Sequence, residues 1–220
     1  MTNFFLLVFF GLACFIVLAS LAGRYLATGY MRRYRGIAPG SGVTGGEFAR
    51  KVIEIEGVEV DLQEVDNRRD SEFSIEERKI RVAGLKESSL LTLGITAHEL
   101  AHAAQYESHR LSVVVVSLLD RVGVFLASLF PLLAVLGFVL VPFLLRVALA
   151  TYLLILFFLL LEVILETDAS RKALGYLDKH GDLTPDEFSR LKKLLGLAIL
   201  TRLTEITIGF LALIDLNKER

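Results

Sequence analysis

The sequence predicts a mostly α protein: a multi-pass helical membrane protein carrying a small α+β unit at the membrane surface. Hydrophobic residues fill 54% of its 220 positions and mean hydropathy is +0.57, above the range of soluble domains. The apolar residues are gathered into runs long enough to cross a bilayer instead of being spread along the chain. Between those runs the polar segments follow helix and strand periods. A net charge of −1 with no block of like charge argues against nucleic acid and leaves the lipid bilayer as the expected large partner. The single cysteine, Cys14, lies inside the first apolar run, so an intrachain disulfide is excluded.

Phe4 to Ala22 is uncharged and about one membrane thickness long. Arg24, Arg32, Arg33 and Arg35 follow it. A secretory signal would carry its charges before the apolar core; by the positive-inside bias the arginine side is cytoplasmic and the N-terminus outside. Residues 1–35 therefore read as a transmembrane helix with a basic flank. Gly36 to Gly42, with Pro39, releases the chain from the membrane. Thr44-Gly45-Gly46-Glu47 matches a capping box, opening a helix that runs through Phe48, Val52 and Ile53 and stops at Gly57. Val58 to Leu62 and Lys79 to Ala83 alternate apolar and polar residues as half-buried strands do, and the charged piece from Asn67 to Arg78 reads as a solvated loop. Residues 36–110 thus form the α+β unit, packed against the helix that carries His98.

Leu111 to Leu161 is apolar except at Asp120, Arg121 and Arg146. Val122 to Leu161 would be about 60 Å long as helix, two crossings of a hydrocarbon layer of about 30 Å. Pro142 and Arg146 mark the turn, and Pro131 is expected to kink its helix. Residues 111–165 therefore make a transmembrane hairpin that returns the chain to the side it left. In 166–220, Ala173 to Lys179 continues a helix to a C-cap at Gly181, with His180 in a structural place near the negative helix end. Thr184-Pro185-Asp186-Glu187 opens another helix. Leu194 to Leu216 is long enough to span but carries Arg202 and Glu205 on one face, so a buried span and an interfacial helix both fit, the span better.

The chemistry centres on His98-Glu99-Leu100-Ala101-His102, the pattern H-E-x-x-H. On a helix, positions i and i+4 share a face, so both imidazoles reach one tetrahedral metal ion. Glu99 points aside, placed to accept a proton from a water that the metal activates. The plainer alternative is two histidines with no metal; Ala101, Ala103 and Ala104, which keep the helix intact and leave room, weigh against it. His109 sits about 10 Å further along the axis, beyond ligation, and reads as a surface residue. Catalytic zinc takes three protein ligands, commonly two histidines and a carboxylate. Glu162, Glu166 and Asp168, at the end of the apolar hairpin, are the contenders, against the alternative that they only solvate the helix end. Ile80 to Ala83 is a candidate edge for pairing an extended peptide, against that of an ordinary edge strand.

Several stretches together resemble the YugP-like neutral zinc metallopeptidases, membrane-embedded bacterial proteins similar in layout to HtpX and the CAAX prenyl proteases. They are Ser41-Gly42 with Glu47, Ala49 and Arg50; Ala97-His98-Glu99 with His102-Ala103 and Gln105; Glu166 with Ala169-Ser170 and Ala173-Leu174; and the helix from Leu191 to Thr201. The resemblance implies a zincin-like α+β unit and a third zinc ligand in a pattern E-x-x-A-S, which Glu166 to Ser170 fits in register and Glu162 does not. Asp168 and Ser170 then become candidates for orienting that ligand. One departure stands out: where the family carries an aspartate, histidine and tyrosine-rich motif, this chain has Asn67-Arg68-Arg69-Asp70-Ser71-Glu72-Phe73, with no His or Tyr.

The resulting expectation is a membrane-bound zinc metalloendopeptidase acting on peptide or protein substrates, membrane proteins among them. His98, His102 and Glu166 hold one Zn²⁺, and Glu99 is the general base. Tyr106, Arg171 and Tyr176 are candidates for stabilising the oxyanion. The polar residues Lys86, Glu87, Ser88 and Ser89 before the motif argue against a site inside a span and put it at the cytoplasmic face of the cell membrane. The alternative from another class is a non-catalytic membrane scaffold stabilised by zinc.

Overall fold

Helix α1 (residues 25–35) leads into the glycine-rich linker, whose Ile37 carbonyl accepts from the Leu90 N–H at 2.8 Å. The capping box then forms as its spacing predicts. The Thr44 hydroxyl accepts from the Glu47 N–H at 3.2 Å, and the Thr44 N–H donates to Glu47 Oε2 at 2.9 Å, opening α2 (Gly45–Glu56). Two further orphan donors of that first turn are met by the loop after the sheet: Gly46 N–H bonds Leu85 O at 2.8 Å and Gly45 N–H bonds Glu87 O at 3.4 Å. Gly57 ends α2 with φ +70° and an N–H bond to Ile53 O.

The computed structural model describes residues 11, 18, 21–23 and 25–197, the side chain of Arg69 excepted. Most of the Phe4–Ala22 run, Arg24, and the Leu194–Leu216 run beyond residue 197, with Arg202 and Glu205, lie outside the described residues. The chain folds as two units. One is Ala27–Val114 with Leu165–Ala198; the other is Met1–Leu26, Val115–Ile164 and Ile199–Arg220.

In the first unit a three-stranded sheet has the order β1-β3-β2, with β1 (Asp61–Val65), β2 (Glu72–Ser74) and β3 (Lys79–Ala83). The third strand is a correction: the charged stretch from Asn67 to Arg78 is not all loop, but holds a 3₁₀ turn (Arg68–Asp70) and β2. Short, charged β2 escapes period reading because its pairing comes from the neighbour and not from its own pattern. It runs antiparallel to β3 through a four-residue turn in which Arg78 takes φ +51°. The first strand begins at Asp61 and not at Val58. It pairs in parallel with β3 from Asp61↔Lys79 to Val65↔Ala83, so β3 is the central strand. The expectation that Ile80 to Ala83 forms an open edge is therefore overturned, since the strand has neighbours on both sides. Ile80 and Val82 are fully buried, while Arg81 turns outward to bond Glu72 and Glu77 at 2.8 and 2.7 Å.

After the sheet, Ser89 caps α3 (Leu90–Val139), its hydroxyl accepting from the Thr92 N–H. The helix α4 (Phe143–His180) returns, and α5 (residues 185–197) follows the Thr184 capping box, in which Thr184 N–H donates to Glu187 Oε2 at 2.8 Å. Close approaches set how these helices meet. A Cβ on Gly45 would stand 2.7 Å from Thr92 Cγ2, and one on Gly94 would stand 3.0 Å from both Leu191 and Leu194, so α2 and α5 lie tight on α3. Phe48, Val52, Ile80, Leu93, Leu100, Ala173 and Leu177 make the core between them.

The second unit holds the apolar hairpin. Its turn falls at residues 140–142, as Pro142 suggests, and Gly137 lies against the backbone of Leu144 and Leu145. Pro131 sits within helix, and α3 also has non-helical backbone at His109 (φ −139°, ψ 46°). The described apolar helices number two, each long and apolar enough to cross a membrane, and only 22% and 28% of their most apolar windows are buried in protein.

His180 has the structural place expected of it: its Nε2 lies 2.8 Å from Glu56 Oε1, tying α4 to the end of α2. That hydrogen bond, outweighing a modest burial penalty, holds the Glu56 carboxyl below its ordinary value of 4.5. A depressed carboxylate contributes stability above its unfolded pKa and loses it as pH falls through the folded one. Glu56→Gln should therefore lower the thermal midpoint at neutral pH and flatten its acid decline below about pH 4.5. Circular dichroism melts of both proteins across that range would check it; parallel acid limbs would count against the pairing.

Candidate metal centre

Positions 98 and 102 fall on one face of α3, while Ala97, Leu100, Ala101 and Ala103 fill the other sides with no exposure. The first unit also contains the start of α4's polar end, where Ala169, Ala173 and Leu177 are fully buried at i, i+4 and i+8. That stripe fixes the helix rotation and aims Glu166 at the two histidines. Its Oε2 lies 3.0 Å from His98 Nε2 and its Oε1 3.5 Å from His102 Nε2. The two Nε2 atoms are 3.2 Å apart, with the rings edge to face at 82°. Among the described residues, these three form the His/Cys/Asp/Glu group whose donor atoms all lie within 4.8 Å of one another.

These separations test whether a metal fits. Zinc bonds of about 2.0–2.1 Å in a tetrahedron set neighbouring donors roughly 3.3–3.4 Å apart. The two Nε2 atoms at 3.2 Å match that spacing, and the carboxylate meets His98 with Oε2 at 3.0 Å and His102 with Oε1 at 3.5 Å, so that one of its oxygens lies within 4.8 Å of both nitrogens. Two nitrogens and a carboxylate converging on one point also need a cation or a proton between them. Electrostatics agree. Burial pushes the Glu166 carboxyl up, but the hydrogen bonds and charges of His102 and His98 outweigh it and hold the group ionised, well below the carboxylate range.

Around the triangle the contacts are uneven. Gln105, 1% exposed, places its amide oxygen 3.1 Å from His102 Nδ1 and donates from its amide nitrogen to Asp168 Oδ2 at 2.7 Å and Leu165 O at 2.9 Å. His98 Nδ1 is buried with no hydrogen-bond partner among the described residues. Of the other contenders, Glu162 is buried one turn before Glu166 and outside the group, and Asp168 bonds Gln105 and pairs with Lys172 at 3.4 Å. The Ser170 hydroxyl donates to Leu195 O. His109 is exposed.

Glu99 is half-buried next to His98. The Tyr106 ring is buried beside Phe73, with the Arg110 guanidinium 5.4 Å from its centroid. Arg171 is exposed. Tyr176, about 15 Å along the helix from Glu166, is half-buried, and burial together with the charges of Glu56 and Glu107 pushes its hydroxyl up. Gln105 is what sequence reading missed as a partner of His102. Its i+3 spacing from that histidine was the available signal.

The profile of a protein family described as "putative neutral zinc metallopeptidase" matches residues 8–217. The chain belongs to this family. No curated protein and no solved structure matches it. In this metallopeptidase family member, the family's metal and the donor set agree: two imidazole nitrogens and one carboxylate are the ligand types that catalytic zinc takes.

If the triangle holds the metal, Glu166→Gln should weaken zinc binding by more than the roughly 10–100-fold that a lost outer partner costs. Competition with a chromophoric chelator would measure it, and an unchanged affinity would remove Glu166 from the site.

Proposed function

We propose that the chain is a membrane-bound zinc metalloendopeptidase that hydrolyses peptide bonds in peptide or protein substrates. The observation that carries this reading is the convergence of His98, His102 and Glu166, whose donor atoms lie within 4.8 Å of one another, within a zinc metallopeptidase family member. A single bound Zn²⁺ supplies Lewis-acid polarisation of a carbonyl and makes water an effective nucleophile near neutral pH. His98, His102 and Glu166 would hold it. Glu99 follows His98 by about 100° around the helix, so its carboxylate stands beside the ligand face and not on it. There it takes a proton from the attacking water and returns it to the leaving amine. Since β3 is an interior strand, a substrate backbone has to be bound elsewhere than along that strand.

The same reading makes the protein multi-pass in the cell membrane. Support comes from two helices of spanning length whose apolar windows are mostly uncovered by protein. Leu132, Val135, Phe138, Leu153 and Phe157 are more than half exposed there, which suits lipid and not water. The reading assigns the candidate metal centre to the cytoplasmic side, in keeping with the positive-inside bias and with Arg32, Arg33 and Arg35 being exposed on the flank of α1.

Two experiments test these halves separately. Glu99→Gln should retain zinc and lose roughly 10²–10⁴-fold in hydrolysis of a casein-like or unfolded membrane substrate; unchanged turnover would exclude Glu99 as the base, and a zinc-loaded wild type without turnover would favour the scaffold. For orientation, Lys86→Cys on a Cys14→Ser background should react with an impermeant maleimide in inverted vesicles and not in intact cells. The reverse pattern would put the site outside.

A further inference from the structure

One proposed ligand has its tautomer dictated by a side chain that would not touch the metal. Gln105 lies one turn beyond His102 in α3 and is almost fully buried. Its amide nitrogen is 2.9 Å from Leu165 O and 2.7 Å from Asp168 Oδ2. A backbone carbonyl only accepts, and so does a carboxylate oxygen, so the NH₂ end of the amide must face them. Reversing the amide would set its oxygen against two acceptors at 2.9 and 2.7 Å with no hydrogen between them. The amide oxygen is thereby turned to His102 Nδ1 at 3.1 Å, and an amide oxygen can only accept. Nδ1 must then carry a proton, which in the neutral imidazole leaves the lone pair on Nε2. That is the atom 3.2 Å from His98 Nε2 and 3.5 Å from Glu166 Oε1.

We infer that Gln105 is a positioning residue for the metal centre: its amide, anchored by Leu165 O and Asp168, holds His102 in the Nδ1–H tautomer with Nε2 aimed between His98 and Glu166. The purpose of this lock rests on the zinc reading, whereas the hydrogen bonds do not. It acts on one ligand of the pair, because His98 Nδ1 has no such partner among the described residues. An unlocked imidazole in the other tautomer would present an N–H to the cation, and would have to move its proton before binding. Outer partners of this kind typically account for 10–100-fold in metal affinity.

The test uses the full chain in detergent, labelled with ¹⁵N at its four histidines. In the metal-free wild type, long-range ¹H–¹⁵N spectra should show His102 as a single Nδ1–H tautomer. Gln105→Met, close in volume and without polar atoms, should give a tautomer mixture and a zinc affinity weaker by about 10–100-fold. A residue that only fills the core would lower the thermal midpoint of the Met variant without changing tautomer or affinity, and that result would overturn the inference. Should the Met variant fail to fold, Asp168→Ala, at a half-exposed side chain, removes one anchor; an undisturbed tautomer and affinity there would equally refute it. A wild type that binds no zinc would sink the metal reading alone, because the tautomer spectra still decide the role of Gln105.

Discussion

The burial of the Glu166 carboxylate is the constraint on which the site depends. Its side chain is only 4% exposed, and an ionised carboxylate out of water costs several kcal/mol unless charge and hydrogen bonds compensate it. The compensation comes from two imidazoles on a different helix, so the site is also a clamp between α3 and α4. The stripe of Ala169, Ala173 and Leu177 selects the register at which it closes. The small side chains of Ala169 and Ala173 let the helix backbones approach, and the acidic group follows from the same rotation.

Rigidity around the clamp comes from close packing and from local hydrogen bonding acting together. Glycines at 45 and 94 remove the side chains that would hold α2 and α5 away from α3, which steadies the two turns before His98. Thr92 and Thr96 are fully buried at that crossing. On the far side, Gln105 joins α3 to α4 through Leu165 O and Asp168. A metal centre needs its donors within a few tenths of an ångström of the productive geometry, and a helix pair tied on both sides of the motif meets that need better than loops would.

The sheet contributes support more than reach. Its central strand buries Ile80 and Val82 beneath α3 and carries Arg81 outward into ion pairs with Glu72 and Glu77. The loop that follows serves the N-terminus of α2, so the α+β part is held through backbone groups that would otherwise be unsatisfied. Along the chain, the most apolar stretches of α3 and α4 adjoin the residues of the metal centre without containing them. The acidic and imidazole groups are thus separated in sequence from the most apolar stretches.

The residues alone determined the local features. Capping boxes at Thr44 and Thr184, the stop at Gly57, the strand Lys79–Ala83, the turn near Pro142 and the helical pairing of His98 with His102 depend on neighbours within a few positions, where spacing dictates geometry. The choice of Glu166 over Glu162 and Asp168 came only from family likeness at that level, because all three sit at one helix end. Tertiary structure brings Glu166, and neither of the other two, into the group with the histidines, through the rotation that core packing imposes on α4. The same holds for β2, whose charged sequence pairs because β3 lies beside it, and for the interior position of β3. It holds above all for Gln105, whose two anchors lie some sixty residues away: a hydrogen-bond partner is chosen by proximity in space, which no local pattern encodes.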